Sequence, residues 1–274
     1  MEKFRILVRG GGDLATGTIH RLWRAGFEVL VLECRQPAAI RRQVAVCEAV
    51  YTGRTVVEDM EAVLVANLAE AEAAWAKKHV PILLDEEADI IAEYQPDVVV
   101  DAIIAKKNLG TRLDMAPLVI ALGPGFVAGK DTHYVIETKR GHNLGRIIAQ
   151  GAAAPNSGVP GNIGGYTKER VLHAPAAGRV RVIQSIGAVV EKGELIAEII
   201  TPIGAVPVLA SLTGIIRGML KDGFVVTKGF KLADIDPRKE ELANCFTISD
   251  KARCLAGSVL ELVVASLLAK KGRA

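Results

Sequence analysis

The prediction of the fold starts from the stretch Arg9-Gly10-Gly11-Gly12-Asp13-Leu14-Ala15-Thr16-Gly17. It follows the apolar run of residues 4–8 and opens a helical pattern with apolar side chains at Leu14, Ile19, Leu22 and Trp23. Read from Gly10, the spacing is G-x-G-x-x-A, which is typical of the strand-to-helix turn of a mononucleotide-binding β-α-β unit. The glycines permit a tight turn and the close approach of a phosphate, and Ala15 lets the helix pack on the sheet. The sequence therefore predicts a ligand platform at this turn.

A second apolar run, residues 29–32, ends at Glu33. An acid about 20 residues after the glycine turn is placed to receive the ribose hydroxyls of an adenosine nucleotide. Glu33 favours an unphosphorylated ribose, whereas Arg35 leaves a 2′-phosphate possible. The residues predicted to bind a cofactor are Gly10, Gly11, Gly12, Asp13, Leu14, Ala15, Glu33, Arg35, Gly123 and Gly125.

Several side chains around this turn have two interpretations. Asp13 either satisfies free amides at the helix start or contacts a ligand hydroxyl or a metal, and in both cases it competes with phosphate for the helix terminus. Arg9 could pair with a phosphate or with Asp13. Cys34 follows a strand that ends at the ligand side, so it is either a packed thiol or a reactive one. His20, on the first helix, is predicted to be a surface or packed residue.

The composition excludes several classes of protein. Half of the residues are hydrophobic but only 4% are aromatic, which suits buried parallel strands and Ala-rich helices. A net charge of +3 is too small to indicate a nucleic-acid partner. No signal peptide and no apolar run of membrane-spanning length is recognised. The four cysteines contain no C-x-x-C pair, which argues against structural zinc and indicates reduced thiols. We therefore expect a cytoplasmic protein without a membrane, nucleic-acid or metal partner.

Strand-like and helix-like segments alternate over the first half of the chain. Strands are predicted at residues 60–66, 81–85, 97–104 and 118–122, with a strong helix at 68–78. This alternation predicts an α/β fold, a Rossmann-like, doubly wound, mostly parallel sheet. Ligands bind such sheets beyond the carboxyl ends of the strands. The predicted ligand-facing segments are residues 10–15, 33–35, 85–87, 104–108 and 123–129.

A second group of candidate residues follows these strands. Asp131, His133 and Glu137 alternate along an extended stretch, so they share one face, and His142 lies just beyond. A carboxylate with two histidines could perform acid-base chemistry or hold a metal, or the group could be hydrogen-bonded loop residues. The sequence contains no H-E-x-x-H, G-x-S-x-G or P-loop motif. The catalytic residues therefore stay unassigned, with Asp131, His133, Glu137 and His142 as candidates.

The last third of the chain contains an internal duplication. Residues 174–199 align without a gap on residues 210–235, and three glycines of each copy coincide. This pattern predicts two interlocked β-halves and resembles a biotinyl/lipoyl-type barrel-sandwich hybrid, but the joint at residues 198–204 has no lysine to modify. The predicted domains are 1–165 (nucleotide-binding), 166–238 (barrel-sandwich) and 239–274, a helix packing on a domain or on a dimer partner.

Several longer motifs together resemble one family over nearly the whole chain. They are V-R-G-G-G-D-L-A-T-G-T-I-H-R-L-W-R-A-G-F from Val8, G-P-G-F-V-A-G-K-D-T-H-Y-V-I-E-T-K-R-G-H-N-L-G-R from Gly123, E-R-V-L-H-A-P from Glu169, A-D-I-D-P-R from Ala233 and T-I-S-D-K-A from Thr247. These motifs are similar to the YqeB-type proteins encoded alongside selenium-dependent molybdenum hydroxylases. The resemblance implies an accessory protein for maturing such an enzyme, with the hydroxylase and its maturation proteins as partners. It assigns no catalytic residues.

Three functions remain open at this point. The first is a maturation factor that binds a nucleotide-like molecule, with NAD(P) or molybdopterin dinucleotide as candidate cofactors. The second is an NAD(P)-dependent oxidoreductase that uses Asp131, His133 or His142 as acid-base groups. The third is a structural adaptor that docks the hydroxylase. A homo-oligomer is possible in each case.

Overall fold

The computed structural model describes residues 3–159 and 161–272. Within them the chain forms two compact units. The first takes in the described part of Met1–Pro37, Ala45–Ser157 and Ile248–Ala274, and the second that of Ala38–Val44 and Gly158–Thr247. Each unit is therefore built from segments that are far apart in sequence.

The first unit is organised around one large sheet. Its elements are β1 (Ile6–Arg9), α1 (Asp13–Arg24), β2 (Val29–Glu33), a 3₁₀ helix (Val46–Glu48), α2 (Ala49–Thr52), β3 (Arg54–Val57), β4 (Met60–Val65), α3 (Leu68–Ala76), β5 (Val80–Leu84), α4 (Ile91–Tyr94), β6 (Val98–Asp101), a 3₁₀ helix (Leu113–Met115), β7 (Leu118–Leu122), β8 (Val127–Ala128), β9 (Tyr134–Ile136), β10 (Ile147–Ile148), β11 (Gly151–Ala152) and α5 (Asp250–Lys271). The nine-stranded sheet has the order β10-β9-β7-β6-β1-β2-β5-β4-β3. Neighbours from β9 through β4 are parallel, whereas β10 and β3 each pair antiparallel.

The central strands are apolar along their whole length. Every residue of β1, β6 and β7 is buried, with Ile6, Leu7 and Val8 fully inaccessible. A strand buried on both faces needs apolar side chains at consecutive positions rather than at alternate ones. This requirement explains why the apolar run at residues 4–8 covers β1 up to Val8 and the run at 118–122 coincides with β7. The strand predicted at 97–104 contains β6 but extends three residues beyond its end at Asp101.

The predicted Rossmann-like, doubly wound sheet is nevertheless wrong. The sheet is mixed, and its connections do not alternate strand with helix: β6 joins β7 through the short 3₁₀ helix Leu113–Met115, and β7 joins β9 through the two-residue strand β8. The long helix α5, from the far end of the chain, packs on α1 and contacts β7 and β9. Apolar runs report that a strand is buried, but they do not report which helix buries it.

Helices α1 and α5 meet at a close crossing. A Cβ placed on Gly17 would lie 2.7 Å from the Ala252 Cβ and 2.9 Å from the Ala252 carbonyl oxygen, so glycine is required there. Ser249 caps α5 by accepting a hydrogen bond from the Ala252 amide. The buried face of α5 consists of Ala252, Leu255, Ala256, Val259 and Val263.

The segment Lys239–Lys271, which contains α5, is long and apolar enough, by length and composition alone, to cross a membrane. The sequence analysis recognises no apolar run of that length. Core helices of soluble proteins can have the same length and apolar composition. Here the α5 part of the stretch packs on α1 as an element of the first unit.

The second unit consists of two four-stranded antiparallel sheets. Its elements are a 3₁₀ helix (Arg42–Val44), a 3₁₀ helix (Lys168–Arg170), β12 (Val171–His173), β13 (Gly178–Val182), β14 (Val189–Val190), β15 (Leu195–Thr201), β16 (Gly204–Leu209), β17 (Gly214–Met219), β18 (Val225–Val226), β19 (Lys231–Asp236) and a 3₁₀ helix (Lys239–Cys245). The sheets have the orders β12-β19-β17-β14 and β16-β15-β13-β18.

The duplicated halves exchange strands between these sheets. In the first copy β14 pairs with β17 of the second, and β18 of the second copy pairs with β13 of the first. Gly178 and Gly214 are equivalent in the repeat, and the same close contact requires glycine at both. A Cβ on Gly178 would clash with the Ile200 carbonyl oxygen, and a Cβ on Gly214 would clash with the Asp236 carbonyl oxygen. The repeat thus preserves the two places where backbones approach most closely.

Candidate functional site

A cavity opens at the carboxyl ends of β1, β2, β5 and β6, and we call it the strand-end pocket. Its volume is about 360 Å³, within the range of roughly 300–1,000 Å³ that small-molecule sites occupy. Its lining consists of Arg9, Gly10, Leu32, Glu33, Cys34, Asp85, Glu86, Glu87, Ile103 and Leu109. Of the predicted cofactor-binding residues, Gly10 and Glu33 belong to this lining. The expected segment 85–87 contributes three acids.

The glycine turn is held by the protein's own groups. Gly10 has a φ of +93°, and a Cβ there would lie 2.9 Å from the Ile103 Cα. The Gly11 amide donates to Glu33 Oε2 at 2.7 Å, and the Gly11 carbonyl accepts from the Cys47 amide at 2.9 Å. A carboxylate therefore already occupies an amide that a phosphate would use.

The first turn of α1 also carries a carboxylate, that of Asp13. Gly12 is the N-cap of α1, and the Leu14 amide donates to Asp13 Oδ1 at 2.8 Å. A Cβ on Gly12 would meet nothing within 4 Å, so this glycine faces open space. Ala15 is fully buried against the sheet, as the spacing predicted. The Asp13 carboxylate adds negative charge where the glycine spacing had predicted a phosphate.

Glu33 is the residue that joins the glycine turn to the pocket. Besides the Gly11 amide, its carboxylate accepts the Cys34 amide through Oε1 at 2.9 Å. A carboxylate has about four acceptor positions, so two remain for a ligand. Arg35 is exposed, and its backbone amide faces Glu86 Oε1 at 3.3 Å.

Arg9 is buried at the pocket rim and hydrogen-bonds to the loops around it. Only 2% of it is exposed, and Nη1 donates to the Thr111 hydroxyl at 2.5 Å while Nη2 donates to the carbonyls of Glu86 (2.9 Å) and Leu109 (3.1 Å). The guanidinium lies 3.9 Å from Asp101 Oδ2, and the Thr111 hydroxyl donates to the same oxygen. Burial raises the pKa of Asp101, and the Thr111 hydroxyl and Arg9 oppose that shift. Arg9 thus holds two rim loops rather than a ligand phosphate.

The pocket is acidic and has an aliphatic wall. Glu33, Asp85, Glu86 and Glu87 supply four carboxylates, and Leu32, Ile103 and Leu109 supply the wall. Asp85 caps the turn that follows it by accepting the amides of Asp89 and Ile90. Since like charges repel in a partly enclosed site, this lining disfavours an anionic ligand and favours hydrogen-bond donors.

Cys34 lies at the edge of the same pocket. Burial raises the pKa of its thiol to about 12, and the neighbouring Glu33 carboxylate adds to that shift. The group is therefore a neutral thiol near neutral pH rather than a nucleophilic thiolate.

Two loop residues beside the pocket have unusual backbone conformations. Ile104 and Lys106 have φ values of 60° and 63°, in the left-handed region. For the β-branched Ile104 this conformation costs on the order of 1–3 kcal/mol. Gly125 packs on this loop, since a Cβ on it would lie 2.6 Å from the Lys107 amide nitrogen, whereas Gly123 packs on the Thr138 side chain.

The four catalytic candidates do not line the strand-end pocket. Asp131 accepts the Val127 amide at 2.8 Å, and Glu137 accepts the amides of Lys139 and Ala154 at 2.7 Å. His133 Nδ1 accepts the Val119 amide at 3.0 Å, and burial lowers the pKa of its ring. His142 is exposed. In this structure the first three organise the loops around β7 and β9.

Comparison with solved structures gives weak likenesses. They include the product-bound ectoine utilization protein EutE (DoeB) from Ruegeria pomeroyi (12% identity, TM-score 0.26, covering 85% of each chain) and an aspartoacylase family protein from Mesorhizobium loti (14%, TM-score 0.28, 85% of each chain). A succinylglutamate desuccinylase from Silicibacter sp. is similar at 12% identity and a TM-score of 0.25, over 85% of this chain and 84% of that one.

Comparison by sequence gives a much stronger relative. No family model matches the chain. The uncharacterized protein YqeB from Escherichia coli (strain K12) is 49% identical over 259 residues, which cover 94% of this chain and 47% of that protein. The chain therefore spans about half the length of the curated relative it matches. The likeness over nearly the whole chain supports a YqeB-type family for this protein.

Proposed function

We propose that the protein is an accessory factor in the maturation of a selenium-dependent molybdenum hydroxylase, and that the strand-end pocket receives the pterin part of the molybdenum cofactor. The family resemblance supports the accessory role. The observation that carries the choice of ligand is the acidic lining of the pocket, with an aliphatic wall and with the guanidinium of Arg9 already committed to the protein.

A pterin fits this chemistry better than a phosphate does. Its flat bicyclic ring has apolar faces that suit Leu32, Ile103 and Leu109. Its aminopyrimidinone edge presents adjacent N–H donors, which pair with one carboxylate through two parallel hydrogen bonds as a guanidinium does. Glu86 and Glu87 are exposed acids at the rim, and Glu33 retains free acceptor positions. The phosphates of a molybdopterin dinucleotide would lie outside this acidic lining.

The oxidoreductase alternative has less support in the structure. It requires a nicotinamide beside Asp131, His133 or His142, and the first two of these residues are engaged with backbone amides of their own loops. The adaptor alternative makes no demand on the strand-end pocket. It predicts that the protein co-purifies with the hydroxylase whatever is substituted in that pocket.

Thermal unfolding with a small pterin, 6-hydroxymethylpterin, tests the proposal. At about a hundred times its dissociation constant a ligand adds roughly 2.7 kcal/mol, which raises the melting temperature by several degrees. Glu87→Gln should weaken the shift. Glu93→Gln, on an exposed acid of α4 outside the pocket, should leave it unchanged.

Inorganic phosphate and AMP provide the contrasting ligands. We expect neither to stabilise the protein through this pocket. Stabilisation by AMP that is lost in Glu33→Gln, or no response to the pterin, would contradict the proposed ligand.

A further inference from the structure

A second cavity of the first unit brings together a histidine and two carboxylates. Its volume is about 590 Å³, and its walls come from α1, from the turn between β3 and β4, and from the start of α5. His20 comes from α1, and Glu58 and Asp59 form the turn. This cavity shares no lining residue with the strand-end pocket.

The three side chains direct one atom each toward a common point. His20 Nε2 lies 2.7 Å from Asp59 Oδ1 and 3.9 Å from Glu58 Oε2. These three atoms all lie within 4.8 Å of one another. Bonds of about 2.0–2.2 Å to a tetrahedral metal place ligand atoms roughly 3.3–3.6 Å apart. The observed spacings lie on either side of that value, so small side-chain rotations suffice to bind an ion.

Arginines fix the other oxygen of each carboxylate. Glu58 Oε1 accepts the Ile248 amide at 2.9 Å and Arg253 Nη2 at 2.7 Å, which leaves Oε2 toward His20. Asp59 Oδ2 accepts Arg24 Nη1 at 2.5 Å, which leaves Oδ1 toward the same ring. Outer hydrogen bonds of this kind orient the ligands of metal sites.

The backbone at the turn also holds this arrangement. Glu58 has a φ of 54°, a left-handed conformation at the first position of a two-residue hairpin turn, where glycine is favoured. Glu58 adopts this conformation although it costs a residue other than glycine on the order of 1–3 kcal/mol. The side chain at this position is the one whose Oε2 lies 3.9 Å from His20 Nε2.

We propose that His20, Glu58 and Asp59 bind a divalent transition metal of the zinc class. Three protein ligands leave a fourth position open to the cavity, as in sites where the metal handles an exchangeable ligand. The two carboxylates balance the charge of the ion, and Arg24 and Arg253 then leave the surroundings positive. The fourth ligand is therefore an anion, such as hydroxide or the carboxylate or phosphate of a small molecule.

Calorimetric titration with Zn²⁺ tests the site. Because zinc also binds thiolates, the parent protein carries Cys254→Ser, which removes the exposed cysteine. We expect one equivalent of Zn²⁺ in this parent, and at least a tenfold loss of affinity in His20→Gln and in Glu58→Gln. Circular dichroism of each variant verifies that it is folded.

The matched control is His79→Gln. His79 Nε2 lies 3.9 Å from Glu61 Oε2, so it is a histidine beside a single carboxylate on the neighbouring strand β4. This variant should bind Zn²⁺ like the parent. No Zn²⁺ binding in the parent, or unchanged affinity in His20→Gln, would overturn the metal site and leave the cluster as an ion-pair network joining the turn to α1 and α5.

Discussion

Replacing Arg9 by methionine removes a guanidinium from the lining of the strand-end pocket. The methionine keeps most of the aliphatic volume but leaves Asp101, which is 1% exposed, without its buried positive neighbour. It also leaves the carbonyls of Glu86 and Leu109 without their donor. Removing one partner of a buried pair costs about 3–5 kcal/mol, because the remaining charge and acceptors stay desolvated.

Urea denaturation of the whole protein measures this loss as a free energy of unfolding, and thermal unfolding measures it as a change in melting temperature. With 2–4 °C per kcal/mol for a domain of this size, the melting temperature should fall by roughly 6–20 °C. Arg21→Met is the control, since Arg21 is exposed on α1 and has no ion pair within the described chain, and it should change stability by less than about 0.5 kcal/mol. The double variant Arg9→Met/Asp101→Asn should lose less than the sum of the single losses.

The loss should also depend on pH. Without Arg9 the pKa of Asp101, already raised by burial, rises further. A carboxyl whose folded pKa is raised reduces stability as pH increases through the interval between its unfolded and folded pKa values, so the deficit should be smaller near pH 4 than at pH 7. A deficit below about 1 kcal/mol at pH 7, or one that grows toward acid pH, would refute this account of the pocket rim.

Two further predictions concern packing and reactivity. Gly17→Ala should lower the free energy of unfolding, measured by urea denaturation, by about 1–3 kcal/mol, because the new Cβ meets Ala252. Gly257→Ala, whose Cβ has nothing within 4 Å, should raise that free energy by up to about 1 kcal/mol. Equal effects of the two substitutions would contradict the α1–α5 crossing. At pH 8 iodoacetamide should alkylate the exposed Cys254 and leave Cys34, with its pKa of about 12, about a hundredfold slower or more, as peptide mapping would show. Equal rates would place Cys34 in a different environment.

The sequence by itself located several of the buried parallel strands, but not the short strands β8, β10 and β11. The runs at residues 29–32 and 118–122 coincide with β2 and β7, and the Ala- and Glu-rich segment became α3. Strand burial is visible locally because buried parallel strands are apolar at every position. The gapless repeat likewise located two equivalent halves, with Gly178 and Gly214 at equivalent close approaches.

Part of the site was also visible in the sequence. Residues 85–87 and Glu33 were identified as strand ends, and they line the pocket. These carboxylates make the pocket acidic, whereas the glycine spacing predicts a phosphate ligand. The spacing reports a tight turn, and Gly10 makes one, but it does not report that Glu33 and Asp13 bind the amides there.

Only the tertiary structure decided which groups meet. In the tertiary structure the sheet has antiparallel edge strands, and α5 packs on α1. The Arg9 side chain points inward beside Asp101, and Asp131 and Glu137 accept hydrogen bonds from loop amides. It also placed His20 beside Glu58 and Asp59, although nothing in the local sequence of α1 marks that histidine as a ligand. Periodicity and spacing encode burial and local turns, whereas the partner of a polar side chain depends on chain segments far apart in sequence.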